Sequence, residues 1–266
     1  TARFSAEGFQ ESYLRDIKAL TTKPVVGVGR YTSPDAMVRV IRSGLMDLIG
    51  AARPSIADPF LPKKIETGQL DAIRECIGCN ICVTGDNYCV PIRCTQNPTM
   101  GEEWRRDWHP ERIAPKRSER GVLVVGAGPA GLELTRALGQ RGYEVTLCDA
   151  TESAGGRLRF ESKLPGLATW QRVADHRLLA ISKMANVQFL RGSAVSADDA
   201  LAFGASAIFI ATGAHWRTDG LGRTHRHAIF GDVQSHVLSP DAALRGAAAS
   251  GPLVIYDDDH YVLAGA

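Results

Sequence analysis

The 266-residue chain is 44% hydrophobic with a formal net charge of +2, which is enough apolar material for one large core or two modest ones. Its Lys and Arg residues are scattered rather than clustered, which argues against a nucleic-acid partner. No apolar run is long enough to span a bilayer and Thr1–Ser5 lack the apolar stretch of a signal peptide, so a cytoplasmic location is expected. The chain begins without Met and stops soon after a strand-like run, and we expect it to be a fragment of a longer protein.

In chain order, Phe9, Tyr13, Leu14, Ile17 and Leu20 have roughly helical spacing. Pro24 to Gly29 is a short apolar strand. Ser33 is placed to cap a helix with Pro34 at its first position, and that helix stops at Gly44. Leu45 to Gly50 is a second strand, so residues 9–53 imply parallel strands in an α/β layer. Residues 54–120 are rich in proline, cysteine and charge. They predict an irregular cofactor-binding region followed by a basic linker from Arg112 to Arg120. An α/β rhythm then returns. A strand at Val122–Val125, a helix from about Ala130 to Arg141 and a strand at Tyr143–Cys148 come first, with further strands at Ala207–Ile210 and Leu253–Ile255.

Five of the six cysteines fall between Cys76 and Cys94, a crowding that points to metal rather than disulfides. Cys76, Cys79, Cys82 and Cys94 read C-x2-C-x2-C-x11-C: three thiolates on one tight loop and a fourth from a later turn. A [4Fe–4S] cluster takes its ligands in this way, whereas structural zinc more often uses two separated C-x2-C knuckles. Gly78 and Asn80 suit a sharply turning loop, and Cys89 is the spare thiol.

Gly126-Ala127-Gly128-Pro129-Ala130-Gly131 is G-x-G-x-x-G between a valine-rich strand and a helix, and Asp149 ends the next strand 18 residues after Gly131. That context marks a dinucleotide-type turn. Gly126 permits the turn, Gly128 lets the backbone approach a pyrophosphate, and Gly131 lets helix and strand pack closely. The helix start faces the phosphates and Asp149 accepts from a ribose hydroxyl. Gly155, Gly156 and Arg157 suggest a second phosphate-side loop. Thr212 and Gly213 either lie against the nucleotide or form an ordinary turn. Gly29-Arg30 and Ala52-Arg53 sit just past two successive strands, where a barrel builds a phosphate site. Position alone equally allows surface arginines.

The run Cys76-Ile77-Gly78-Cys79-Asn80-Ile81-Cys82, with Cys94 to Pro98 and Gly101 to Trp104, resembles the trimethylamine, dimethylamine and histamine dehydrogenase family. Gly27 to Thr32 and Ala52 to Pro59 are similar to the last two barrel strands of that family, and Gly126 to Tyr261 to its nucleotide domain. The resemblance implies the end of an Old Yellow Enzyme-type TIM barrel at 1–62, an iron–sulfur segment at 63–118 and an incomplete Rossmann-like ADP- or FAD-binding domain at 119–266. It further implies FMN held by Gly29, Arg30, Ala52 and Arg53, a [4Fe–4S] cluster on the four cysteines, and ADP or FAD on the glycine turn. Oxidation of a small methylated amine or N-methyl amino acid is expected, with electrons leaving through the cluster to an electron-transferring flavoprotein. A homo-oligomer is expected as well. Ala52 departs from the wider clan, which has glycine there. A dienoyl-CoA reductase-like enoyl reductase using NADPH and a non-catalytic electron-transfer subunit are the rival readings. Against NADPH, the strand ending at Tyr256 leads into Asp257-Asp258-Asp259-His260-Tyr261 rather than a second glycine turn.

Overall fold

The computed structural model describes residues 5–105, 109, 111–222, 226–228, 236–247 and 251–256. These divide into two compact units that meet between Thr212 and Gly213.

The first unit opens with α1 (Glu11–Leu14) and a 3-10 turn at Lys18–Leu20, where the apolar spacing predicted one longer helix. Tyr13 and Leu20 are exposed and only Leu14 packs against a core, and a helix this short persists only through tertiary packing. β1 (Val26–Gly27) and β2 (Leu48–Ile49) are parallel, with Val26 opposite Leu48 and Gly27 opposite Ile49. Both are shorter than the apolar runs that predict them. At the amino-terminal end the Asp47 carboxylate takes up the Val25 N–H at 2.7 Å. Between the strands runs α2 (Pro34–Arg42), with Ser33 as the expected N-cap and Gly44 beyond its end at φ +72°. Val25, Tyr31, Met37, Val40, Met46, Leu61 and Ile73 form the core here.

The stretch expected to be irregular is instead helical in three places: α3 (Ala52–Ala57), α4 (Leu61–Glu66) and α5 (Ile81–Asn87). Pro54 and Pro62 lie in the first turns of α3 and α4, where a missing N–H removes no helical hydrogen bond.

From Gly121 the chain alternates strand and helix: β3 (Val122–Val125), α6 (Pro129–Gln140), β4 (Val145–Cys148), α7 (Leu158–Glu161), α8 (Arg172–Ser182), β5 (Val187–Leu190), α9 (Ala197–Ala202) and β6 (Ala207–Ile210). The four strands are all parallel, in the order β5-β4-β3-β6. β3 is buried at every position, as an inner parallel strand requires. α6 and α8 pack against one another beside it, over Leu132, Val173, Ala174 and Ile181. The second unit carries α10 (Pro240–Leu244), which Ser239 caps. The strand expected at Leu253–Ile255 is not formed among the described residues, where these three side chains are exposed. An apolar run becomes a strand only where a neighbour accepts its backbone hydrogen bonds. The acidic run 257–261 lies outside the described residues.

Candidate functional site

All four predicted cysteine ligands line one cavity, with Arg53, Ile56, Ile77, Asn80, Ile81, Thr95 and Gln96. All are free thiols and partly buried. The Cys76 loop turns through two left-handed residues, Gly78 at φ +68° and Asn80 at φ +63°, the second of which is the N-cap of α5. The Gly78 N–H donates to Cys76 Sγ at 3.4 Å, and the backbone N–H groups of Asn97 and Gln96 favour the Cys94 thiolate. Thr95 Oγ1 lies 3.2 Å from Cys79 Sγ. Burial pushes the Cys76 and Cys94 thiols up, against the pull of these N–H donors. Among the described residues no three Cys, His, Asp or Glu side chains converge closely enough to chelate one ion. Cys89 is exposed and lies outside the cavity lining.

Of the strand-end arginines, Arg53 lines this cavity. Arg53 donates from Nη1 to Asn80 Oδ1 at 2.9 Å, so it faces the cysteine loop, and with Ala52 it occupies the first turn of α3 rather than a loop. Arg30, at φ +61°, donates to the Ser5 carbonyl. Burial lowers its pKa, opposed by Cys76 and Glu7 and reinforced by Arg53 and Arg172, so three guanidiniums share one neighbourhood. Gly29 precedes them: a Cβ there would meet the buried Tyr31 ring at 3.2 Å. The loop is held by the Glu7 carboxylate, which accepts from Ser33 N–H at 2.8 Å and also from Thr32 N–H. Arg172 escaped the sequence reading; it pairs with Glu75 at 2.9 Å and lies 140 residues from Thr32, which its guanidinium reaches at 3.5 Å.

The glycine turn has the predicted anatomy. Gly126 adopts φ +105°, and a Cβ there would stand 2.4 Å from the Ala211 carbonyl. At Gly131 a Cβ would stand 1.9 Å from the Gly126 carbonyl oxygen, so only glycine allows α6 this near β3. Gly128 caps α6 ahead of Pro129 and Ala130 and has open space before it. Asp149 binds the turn itself: Oδ2 accepts from the Ala127 N–H at 2.6 Å and Oδ1 from Thr151 N–H and Oγ1. Burial raises its pKa, but these donors and Arg159 outweigh burial and hold it below the ordinary value. Gly155 N–H donates to the Ala127 carbonyl, bringing Gly156 and Arg157 beside the turn, and a Cβ on Gly156 would meet Gly128 Cα at 3.3 Å. Thr212 follows β6 beside Gly126, while Gly213, at φ +83°, begins the second unit. A larger concavity of about 430 Å³ lies at the opposite ends of these strands, but Glu144 is the one ionisable residue in its described lining.

Two families match: NADH:flavin oxidoreductase / NADH oxidase over residues 2–72, and the NAD(P)-binding Rossmann-like domain over residues 124–188. Dimethylamine dehydrogenase of Hyphomicrobium sp. is 46% identical over 270 residues, covering 98% of this chain and 37% of that protein. Histamine dehydrogenase from Rhizobium sp. 4-9 superposes with a TM-score of 0.89 at 51% identity, covering 99% of this chain and 39% of its own. The chain belongs to the dimethylamine and histamine dehydrogenase family. A structure of 6-hydroxypseudooxynicotine amine oxidase from Pseudomonas geniculata N1 gives a TM-score of 0.88 at 51% identity, over 92% of this chain and 37% of that one. The probable N-methylproline demethylase of Rhizobium meliloti is 30% identical over 254 residues, 94% of this chain and 36% of that protein. The chain thus spans well under half the length of these relatives. In family terms β1 and β2 are the end of a TIM barrel, and the four-stranded sheet belongs to a Rossmann-like domain. No helix among the described residues is long and apolar enough to cross a membrane.

Proposed function

We propose that this chain is the cofactor-linking part of an iron–sulfur flavoprotein dehydrogenase that oxidises a small methylated amine or N-methyl amino acid. The observation that carries the reading is the shared cavity of Cys76, Cys79, Cys82 and Cys94 beside Arg53. Four thiols that share one cavity, three from a C-x2-C-x2-C loop and one from a later turn, suit a [4Fe–4S] cluster better than the paired knuckles of structural zinc. The N–H groups aimed at Cys76 and Cys94 fit thiolates, since hydrogen bonds to sulfur help set a cluster's potential.

Arg30 and Arg53, with Gly29 and Ala52, would hold the FMN phosphate, because a doubly charged phosphate relieves the crowding of guanidiniums there. Gly126 to Gly131, with Gly156, Arg157 and Thr212, would hold the ADP part of ADP or FAD. The open space at Gly128 and the start of α6 suit a pyrophosphate. Asp149 can still accept from a ribose hydroxyl, since each carboxylate oxygen has a second lone pair. FMN would supply two-electron oxidation of a C–N bond, and the cluster one-electron transfer outward. The chain's own residues bind, orient and screen these groups. The substrate pocket would be built by the other barrel strands of the whole enzyme, and residues 63–118 form the cluster segment.

The acceptor consistent with this reading is an electron-transferring flavoprotein. The acidic run Asp257–Asp259 speaks against a pyrophosphate after Tyr256 and so against the NADPH-dependent enoyl reductase. Barrel strands in the chain speak against a stand-alone electron-transfer subunit. Rapid mixing of the whole enzyme tests the direction of flow: a methylated amine should bleach the flavin and NADPH should not. Bleaching by NADPH at a rate comparable to that with amine would overturn the proposal.

A further inference from the structure

The side chain of Arg177 points from α8 of the Rossmann-like domain into the cysteine segment, although nothing in the glycine turn or the cysteine spacing calls for it. It is 4% exposed. Its Nη1 donates to Gln96 Oε1 at 3.0 Å and to the Val173 carbonyl at 2.9 Å, and Nη2 donates to the Thr95 carbonyl at 3.4 Å. Its Nε lies 2.8 Å from Glu133 Oε2 on α6, an ion pair rather than an aligned hydrogen bond. Gln96 is itself 1% exposed, and its amide donates in turn to the Glu75 carbonyl at 3.2 Å.

These contacts close a bridge over the cavity. Thr95 and Gln96 follow Cys94, and Glu75 precedes Cys76. One side-chain amide therefore ties together the two arms that carry the first and last thiols, and one buried guanidinium fixes that amide. The backbone N–H of Gln96 favours the Cys94 thiolate, so a shift of Gln96 alters the support of that sulfur. Arg177 also brings a positive charge into a dry setting, where charge acts at longer reach than in water. Partners of this outer kind orient ligands and tune the metal.

We propose that Arg177 is a positioning residue for the cluster, holding the Cys94 arm against the Cys76 arm through Gln96. The nucleotide domain thereby fixes how the cluster is seated and raises its reduction potential. The inference rests on the iron–sulfur reading of the four cysteines.

Whole enzyme bearing Arg177→Gln, Arg177→Lys or Gln96→Met should be compared with wild type in iron content, the g-values of the reduced cluster, midpoint potential and melting temperature. Arg177→Gln and Gln96→Met should shift the g-values and lose iron in air several-fold faster. Arg177→Gln should also lower the midpoint potential, and Arg177→Lys, which keeps the charge without the fork, should restore the potential but not the g-values. If Arg177→Gln fails to fold, Gln96→Met, close in volume and leaving the Arg177–Glu133 ion pair in place, decides the seating role alone. Variants that melt lower but keep wild-type g-values, potential and iron-loss rate would overturn the proposal. Wild type that carries zinc instead of iron would overturn the iron–sulfur reading itself.

Discussion

Gly131 and Gly128 lie three residues apart in one turn, yet the structure assigns them opposite failures. A methyl at Gly131 would sit 1.9 Å from the Gly126 carbonyl oxygen and 3.3 Å from Ala211 Cβ. Neither neighbour is the tip of a flexible chain, so Gly131→Ala must push the start of α6 away from β3 by about 1 Å in a close-packed layer. Overpacking of this kind costs about 1–3 kcal/mol, and a backbone partner puts this site at the upper end. The gain in helix propensity returns somewhat under about 1 kcal/mol. A net loss of about 2 kcal/mol lowers the melting temperature by roughly 4–8 °C for a unit of this size. Gly128, at φ −72° and ψ 179°, has a backbone that any residue adopts and nothing within 4 Å of a Cβ. Gly128→Ala should leave stability within about 0.5 kcal/mol. Its methyl would stand where a pyrophosphate must approach, so bound nucleotide should be lost. Thermal melting of the whole enzyme, with adenine nucleotide quantified after denaturation, separates the two effects. Wild-type melting of Gly131→Ala, or a full complement of nucleotide in Gly128→Ala, would refute the reasoning.

Anaerobically prepared enzyme should contain about four irons per chain. Cys94→Ala should lose them and Cys89→Ala keep them, and metal analysis showing equal iron in both variants would rule out the ligand set. His176 on α8 is pushed down to about 4, first by burial and then by Arg74, although the Ala72 carbonyl opposes both. The unfolded chain, with a histidine pKa near about 6.5, binds a proton that the folded chain refuses. His176 therefore costs stability as pH falls from about 6.5 to about 4, and His176→Gln should remove up to about 3 kcal/mol of that dependence. Melting temperatures measured across this range should flatten in the variant; an unchanged pH profile would count against it.

The parts legible in the sequence are those whose chemistry is local. A turn held at φ +105° with a carbonyl where a Cβ would stand calls for glycine, so Gly126 could be recognised without a fold. The spacing of Cys76, Cys79 and Cys82 fixes one loop whatever surrounds it, and Ser33-Pro34 starts a helix by capping alone. The errors have local causes too. The proline-, cysteine- and charge-rich stretch from residue 54 predicts an irregular chain, yet Pro54 and Pro62 lie in the first turns of helices, and the apolar run Leu253 to Ile255 predicts a strand that finds no partner among the described residues. What the sequence hid depends on partners far along the chain. Helix α8 was missed because its inner face carries Arg177 between Val173 and Ile181, and a charge on the apolar stripe hides the periodicity. Only the tertiary structure shows that this charge is buried because Glu133, Gln96 and the Thr95 carbonyl surround it. Likewise Arg172 joins Arg30 and Arg53 only after folding. A motif states which backbone a residue permits, but which charges share a low-dielectric space is decided by packing.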